Sequence, residues 1–239
     1  MAKKGESKAQ KALSVPVVRH FNRKETAWTT KTIPGPHNRS RSVPLVFALR
    51  NLLQVVDNEK EARLVLNNSE VKVNGVRRKE LRFPVGLFDV LDVVQAKKKY
   101  RALLDNKGRL RFRELDGKEA SFKLCKVLRK HTLPGGKQQL TLDDGTTLMD
   151  EKNAVRVGST LKLELPARKI AGVLELKKGH VVYLIQGTHV GTVAEVKEVV
   201  EGTMSRPKLI GLQAGSEEFQ TVERNVLVVG SKKPEVEIE

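Results

Sequence analysis

Apolar and polar positions between residues 43 and 94 follow two different periods along the chain. In the first part, apolar side chains recur every three to four residues, which predicts a short amphipathic helix over residues 43–56. The stretch NEKEARLVLN follows. Its Asn58 and Glu61 have the spacing of a helix capping box, which predicts a second short helix. The segment therefore opens with a pair of short helices.

The period then changes to two, which is typical of β-strands. Val71 and Val73 alternate with Lys72, and Asn74-Gly75 is a strong signal for a tight turn because both residues tolerate positive φ. A basic run, RRK, and a further strand in FDVLDVV complete the pattern. Two helices followed by a small basic sheet predict a compact module that grips nucleic acid. The alternative is that the RRK run is only a solvated hairpin flank.

The rest of the chain is a series of short alternating strands separated by turn signals such as Asp143-Asp144-Gly145. In HVVYLIQGTHVGTVAEV, Gly187 and Gly191 allow a tight bend that presents Thr188 and His189 at its tip. His189 fits a simple turn residue as well as an RNA contact. FQTVERNVLVVG predicts a closing strand of a small barrel. The fold class predicted is α+β, mostly β.

The balance of charge indicates a polyanionic partner. The 239 residues include 45 Lys and Arg against 28 Asp and Glu, a net charge of +17. Because the positive charge is spread along the chain, nucleic acid is the favoured partner, although a merely soluble basic protein is the bland alternative. Aromatic residues make up only 4% of the chain, so we expect contacts to phosphates and groove shape, as in structured RNA, in preference to base stacking.

The first 42 residues form a basic segment with little periodicity. They contain ten Lys and Arg, with Arg50 just beyond, against only Glu6 and Glu25. Such a segment predicts a basic arm that becomes ordered on RNA. A frayed, solvated terminus is the alternative. The prolines of IPGPHNRSRS favour the arm, because they stiffen the turn that presents its basic side chains.

Several classes of function are disfavoured. Cys125 is the only cysteine, which rules out an internal disulfide and favours a reducing cytoplasm; we interpret it as a core residue. The chain has no apolar run of membrane-spanning length and no apolar core of a secretory signal at its start. It has no P-loop, and its five His are scattered. We therefore predict no enzyme activity, no metal, no cofactor, no membrane partner and no small-molecule substrate.

The order of motifs resembles a known family. Two short helices, VKVNG, a basic turn and a closing strand resemble the S-four RNA-binding domain. HVVYLIQGTHVGTVAEV resembles a KOW motif. Together with GPHNRSRSVPLVFALRN, FPVGLFDVLDV and KLCKV, they resemble the archaeal and eukaryotic small-subunit ribosomal proteins of the S-four-e family. The resemblance implies a structural constituent of the small ribosomal subunit, located on the cytoplasmic ribosome, that binds rRNA beside neighbouring ribosomal proteins.

These inferences give a domain plan and a set of candidate residues. The plan comprises a basic arm (1–42), an S-four-like RNA-binding domain (43–106), a central β-rich domain (107–175), a KOW-like, SH3-like barrel (176–230) and a flexible acidic tail (231–239). The residues expected to contact RNA are Arg19, His20, His37, Arg39, Arg41, Arg50, Arg77, Arg78, Lys79, Arg82, Thr188 and His189. The alternative functions are a non-ribosomal, KOW-bearing RNA-binding factor that associates transiently with ribosomes or transcription complexes, and a polyanion-binding scaffold without a preferred RNA.

Overall fold

The computed structural model describes residues 7–68, 70–94, 96–115, 117, 119–150, 155–215 and 217–238. The fold is α+β and mostly β, as the alternating pattern predicts. The chain divides into two compact units. One is formed by Met1–Leu103 with Arg109–Asp116, and the other by Leu104–Gly108 with Gly117–Glu239.

The first unit contains the arm, the two helices and a small sheet. Its elements in chain order are β1 (Ala9–Lys11), β2 (Trp28–Thr30), β3 (Val43–Pro44), α1 (Leu45–Phe47), α2 (Glu59–Asn67), β4 (Val71–Val73), β5 (Val76–Arg77), β6 (Pro84–Val85), β7 (Val90–Val93), β8 (Lys98–Leu104) and β9 (Leu110–Leu115). Strands β1 and β2 pair with each other, and β3 pairs with β6. The other five form one sheet in the order β5-β4-β7-β8-β9.

Both predicted helices form, although the first departs from a regular α-helix. After α1 the chain continues as a π-helix over Ala48–Leu52, and Gln54 then adopts a positive φ of 53°. Helix α2 begins at the predicted capping box. The Glu61 carboxylate accepts a hydrogen bond from the Asn58 backbone N–H at 3.4 Å, and the Asn58 side chain accepts in return. The helix pair packs its apolar faces into the core of the first unit.

Strand β9 shows where the domain plan and the structure differ. The plan sets a boundary after residue 106, but β9 lies next to β8 at the edge of the first sheet. The turn between them, with Gly108 at a φ of +72°, is therefore a hairpin within one sheet. Residues 109–115 therefore lie in the same unit as the helix pair.

The second unit contains two five-stranded antiparallel sheets. Its strands are β10 (Phe122–Thr132), β11 (Gln138–Leu142), β12 (Thr147–Asp150), β13 (Thr160–Glu164), β14 (Ile170–Leu174), β15 (Val181–Leu184), β16 (Val193–Val200), β17 (Leu209–Ala214), β18 (Glu217–Val222) and β19 (Val226–Gly230). The long strand β10 pairs with both β11 and β13 and has an irregularity between Val127 and Arg129. Cys125 lies fully buried in the apolar cluster of the sheet that contains β10, in keeping with a core role.

The second sheet of this unit has the order β18-β17-β16-β15-β19. Four strands follow one another as a meander, and β19 returns to pair with β15, so that Val182 lies opposite Val228. The segment after β19 is packed, unlike the flexible tail predicted from its charge. Val236 and Ile238 are buried, and Glu235 lies 2.7 Å from the Lys162 ammonium. Val236 and Ile238 alternate with acidic residues, so both can be buried although the segment is acidic overall.

Candidate nucleic-acid interface

Arg39 and Arg41 lie on a short 3₁₀ turn at the end of the arm. The Asn38 side chain accepts a hydrogen bond from the Ser40 backbone N–H at 3.1 Å, which fixes the start of the turn. Both arginines are exposed, and Arg39 donates to the side chain of Gln10. The turn therefore holds two guanidinium groups at the surface on an ordered backbone.

Arg19 lies inside the first unit, although the sequence predicts it as an RNA contact. It is 2% exposed, and its Nη1 donates to the Thr30 carbonyl at 2.7 Å, while its Nε and Nη2 have no hydrogen-bond partner. Burial, together with the positive charge of Arg39, lowers the pKa of Arg19 to about 10. The group stays charged at neutral pH, so the unit contains a buried cation next to an exposed one.

His37 also faces the protein. Its Nε2 lies 2.9 Å from Asp89 Oδ2, and Asp89 accepts hydrogen bonds from the Gly86 backbone N–H and the Asn74 side chain. The ring is packed tightly, because a Cβ on Gly86 would lie 2.4 Å from it. His20, by contrast, is exposed and lies 3.4 Å from Arg109. His37 thus fastens the arm to the sheet and is not placed to meet a partner.

The basic run after the tight turn lies at the edge of the first sheet. The turn forms as predicted, with positive φ at Asn74 and Gly75. Arg77 and Lys79 are exposed, while Arg78 is half-buried with its guanidinium 4.5 Å from the centre of the Phe83 ring. Arg77 and Lys79 are therefore available to a partner, and Arg78 is oriented by packing.

Across the sheet, Arg77 continues into a row of charged side chains. The register places Arg77 opposite Lys72, Lys72 opposite Asp92, and Asp92 opposite Lys99. Directly opposed residues lie on the same face. Three bases and one acid thus form a band over four strands. The sequence did not reveal this row, because the strand register that brings Lys99 into it is not encoded in any local motif.

Arg50 and Arg82 both line a groove in the first unit. The groove has a volume of about 690 Å³, and Lys8, Arg63 and Trp28 also line it. The Arg82 Nε donates to the Lys31 carbonyl at 2.9 Å, whereas Arg50 is exposed and its Nε donates to the neighbouring Asn51 side chain at 3.1 Å. Lys8, Arg63 and Trp28 were absent from the sequence-based set. The signal for Trp28 was available, since it is the only Trp in the chain and lies in a polar segment.

Thr188 and His189 lie far along the chain, in the second unit. Thr188 is exposed, and the His189 ring stacks on Phe219 with centroids 4.1 Å apart and an interplanar angle of 15°. His189 Nδ1 is 4.0 Å from a Glu217 carboxylate oxygen. The bend thus presents a polar tip backed by an aromatic pair.

One cluster has the residue types of a metal site but different chemistry. Potential ligand atoms of Cys125, Asp143 and Asp144 lie within 4.8 Å of one another. The ammonium of Lys123, however, lies 3.1 Å from Asp144 and already supplies a positive charge to that carboxylate. The cluster is therefore explained as a buried ion pair. Among the described residues, no helix has the length and apolar character needed to cross a membrane.

Taken together, an α+β, mostly β fold and exposed arginines on ordered backbone define the class of a basic structural protein suited to polyanions. The model of the ribosomal family S4e matches residues 96–170. Small ribosomal subunit protein eS4 of Methanosphaera stadtmanae is 37% identical over 238 residues, covering 100% of this chain and 98% of that protein. Its counterpart in Archaeoglobus fulgidus is 35% identical over 232 residues, covering 96% and 97%.

A solved structure of a ribosomal protein is also similar to this chain. The crystal structure of 30S ribosomal protein S4e from Thermoplasma acidophilum has a TM-score of 0.71 and 31% identity, covering 80% of this chain and 96% of that one. The chain therefore belongs to the ribosomal S4e family, as the resemblance predicts. This is a family of ribosomal structural proteins and not of enzymes.

Proposed function

We propose that this protein is a structural constituent of the small ribosomal subunit and binds its rRNA through basic surfaces of the first unit. The observation that carries the proposal is similarity over nearly the whole chain to proteins named as small ribosomal subunit protein eS4. The exposed arginines supply the chemistry, because rRNA presents a dense array of phosphates to its proteins. The location proposed is the cytoplasmic ribosome, among neighbouring ribosomal proteins.

The charges on the first unit support phosphate contacts. Within the described part of the chain, Arg39, Arg50, Arg77 and Lys79 form no ion pair with a carboxylate, and all four are exposed. A base without an internal partner is free to neutralise a phosphate, and Arg can do so through two parallel hydrogen bonds. Arg41, Arg78 and Arg82 add basic groups to the same surfaces. Arg19 and His37 lie inside the first unit and support these surfaces from within the protein.

The remaining parts of the domain plan fit supporting roles. The helix pair with its basic sheet acts as an S-four-like RNA-binding module, and the second unit includes a KOW-like portion whose tip, at Thr188 and His189, touches RNA separately. His20, exposed on the arm, adds a further polar contact. Each of these contacts would position the protein on folded rRNA by shape and charge, without reading base sequence.

Salt-dependent binding to purified small-subunit rRNA tests the surface. A variant with Arg50, Arg77 and Lys79 all changed to Gln loses three phosphate contacts, so the slope of log K against log salt becomes shallower by roughly two to three. The matched control changes three exposed lysines of the second unit, Lys178, Lys232 and Lys233, to Gln. The proposal fails if the first variant keeps both the affinity and the slope of the wild type, or if the control loses as much.

Sedimentation of native cell lysate through a high-salt gradient tests the assembly. A structural constituent stays on the small subunit in stoichiometric amount. Release into the light fractions would instead support the transient KOW-bearing factor. A polyanion-binding scaffold would be recognised by equal competition from unrelated RNA in the binding assay. The two experiments thus separate the ribosomal proposal from both alternatives.

A further inference from the structure

The groove of the first unit has an aromatic wall that phosphate contacts do not explain. Trp28 forms part of the wall and is 58% exposed. The other large aromatic side chains of this unit are less exposed: Phe47, Phe83 and Phe88 are buried, and Phe21, Tyr100 and Phe112 are partly buried. A large, exposed indole on an ordered strand is a common mark of a binding site, because it leaves apolar area in water.

The groove continues from this indole to an aromatic floor. Phe21 and Phe47 line it and meet edge to face, with ring centroids 5.9 Å apart. Trp28 lies on β2, whose pairing with β1 places it opposite Lys11. The indole is thus carried by paired backbone, so little conformational entropy remains to be lost when a planar ligand stacks on it.

The polar groups in the groove are of both signs. Arg50, Arg82 and Lys8 supply donors, while Glu25 and Glu80 supply carboxylate acceptors. A site for phosphate alone gains nothing from carboxylates, which repel it. A nucleobase edge, however, presents donors and acceptors side by side, and carboxylates accept from its amino groups. The mixture therefore fits a base with its attached phosphates better than a bare anion.

We propose that this groove takes one unpaired nucleotide of RNA, with its base stacked on Trp28 and its flanking phosphates at Arg50 and Lys8. The proposal rests on the proposed function and adds a ligand class to it. It also departs from the expectation, drawn from the low aromatic content, that contacts to phosphates and groove shape are preferred to base stacking. One aromatic platform is enough for one splayed-out base, and proteins that recognise RNA commonly hold single bases in this way.

The sole Trp provides a direct probe. We expect titration with purified small-subunit rRNA to quench the tryptophan emission in step with binding measured by filter retention. Model RNA hairpins make the test specific: one carries a bulged adenosine, and its control carries an abasic residue at the same bulge. We expect Trp28→Leu to weaken binding of the adenosine hairpin roughly 10- to 100-fold, while binding of the abasic hairpin changes little. Trp28→Phe keeps a ring and should retain part of the affinity.

The outcomes separate this inference from the proposed function. Retention of rRNA with unchanged tryptophan emission, and equal affinity of wild type and Trp28→Leu for the adenosine hairpin, would overturn the stacking inference and leave rRNA binding intact. Absence of binding to rRNA would overturn both. Because Trp28 is largely exposed, its replacement should leave the thermal unfolding of the chain unchanged.

Discussion

The buried ion pair between Lys123 and Asp144 should make a large and pH-dependent contribution to the stability of the second unit. Lys123 Nζ is 3.1 Å from Asp144 Oδ2, with side chains that are 3% and 10% exposed. Asp144 also accepts a hydrogen bond from the Thr146 backbone N–H at 2.9 Å. Burial by itself would raise the pKa of Asp144, but the Lys123 charge and the hydrogen bonds outweigh it, and the pKa lies below its usual value.

The perturbation is Asp144→Asn, which keeps the shape and the acceptor for Thr146 but removes the negative charge. The buried Lys123 ammonium then loses the charge of Asp144, and breaking a buried pair in this way costs about 3–5 kcal/mol. The double variant Lys123→Met with Asp144→Asn removes both charges. Because a neutral, similar-sized replacement of a buried pair is often close to neutral, we expect the double variant to recover most of the loss.

The assay is urea unfolding of the full chain, with a probe confined to the second unit. Trp28 lies in the first unit, so its fluorescence does not report the relevant transition. Hydrogen exchange of the β10 amides reports the opening of the second unit, because Lys123 lies on β10. The free energy of opening measured at β10 should fall in Asp144→Asn and return towards the wild-type value in the double variant.

The pH dependence follows from the depressed pKa. A carboxylate with a folded pKa below its unfolded value stabilises the fold above the unfolded pKa, which is 3.8 for Asp, and loses that contribution as the pH falls through the folded pKa. Acid should therefore destabilise the wild type at β10 more steeply than the double variant. Equal protection of wild type and Asp144→Asn at pH 7, or equal acid slopes for wild type and double variant, would refute the reasoning.

Three further substitutions test other contacts. Asp89→Ala removes the carboxylate beside His37 and the acceptor of two hydrogen bonds, and should destabilise the first unit by about 2–4 kcal/mol, read by Trp fluorescence in urea; an unchanged midpoint would contradict it. Lys126→Met removes a buried ammonium that donates to two backbone carbonyls, and should lower the free energy of opening at the β10 amides by about 2–3 kcal/mol. Hydrogen exchange at β10 as slow as in the wild type would contradict this expectation. Arg19→Gln removes the buried charge and keeps a polar side chain, so the first unit should lose less than about 1 kcal/mol while rRNA affinity falls; a large loss of stability with full affinity would oppose this.

Local signals in the sequence predicted the helix pair and many of the strands, but not the paired strands β1 and β2 of the arm. The capping box at Asn58 and the turn at Asn74-Gly75 depend on residues a few positions apart, so their geometry follows from neighbouring side chains. Alternation indicated strands in both units, because strands such as β4, β11 and β13 have one buried face. The mostly β class and the family could both be obtained from these patterns.

The positions of single charged residues could not be obtained in the same way. His37 and Asp89 are far apart in sequence, and nothing around either residue indicates that they meet. Strand β9 joins the first sheet through a hairpin turn whose signal also fits a domain boundary. The composition predicted few aromatic side chains for base stacking. Composition gives the number of aromatic residues and not their exposure, so it could not show that Trp28 is 58% exposed.

The arm shows how local sequence signals and the positions of single charged residues are related. Its composition indicates that it cannot bury enough apolar surface to fold alone, yet in the structure its strands pair with each other and His37 fastens it to Asp89. The cost of this packing includes the Arg19 charge, which is buried beside Arg39 without a carboxylate partner in the described part of the chain. A negative charge arriving at the exposed Arg39 offsets that repulsion. The same residues that make the folded arm electrostatically strained therefore make an anion such as a phosphate its natural complement.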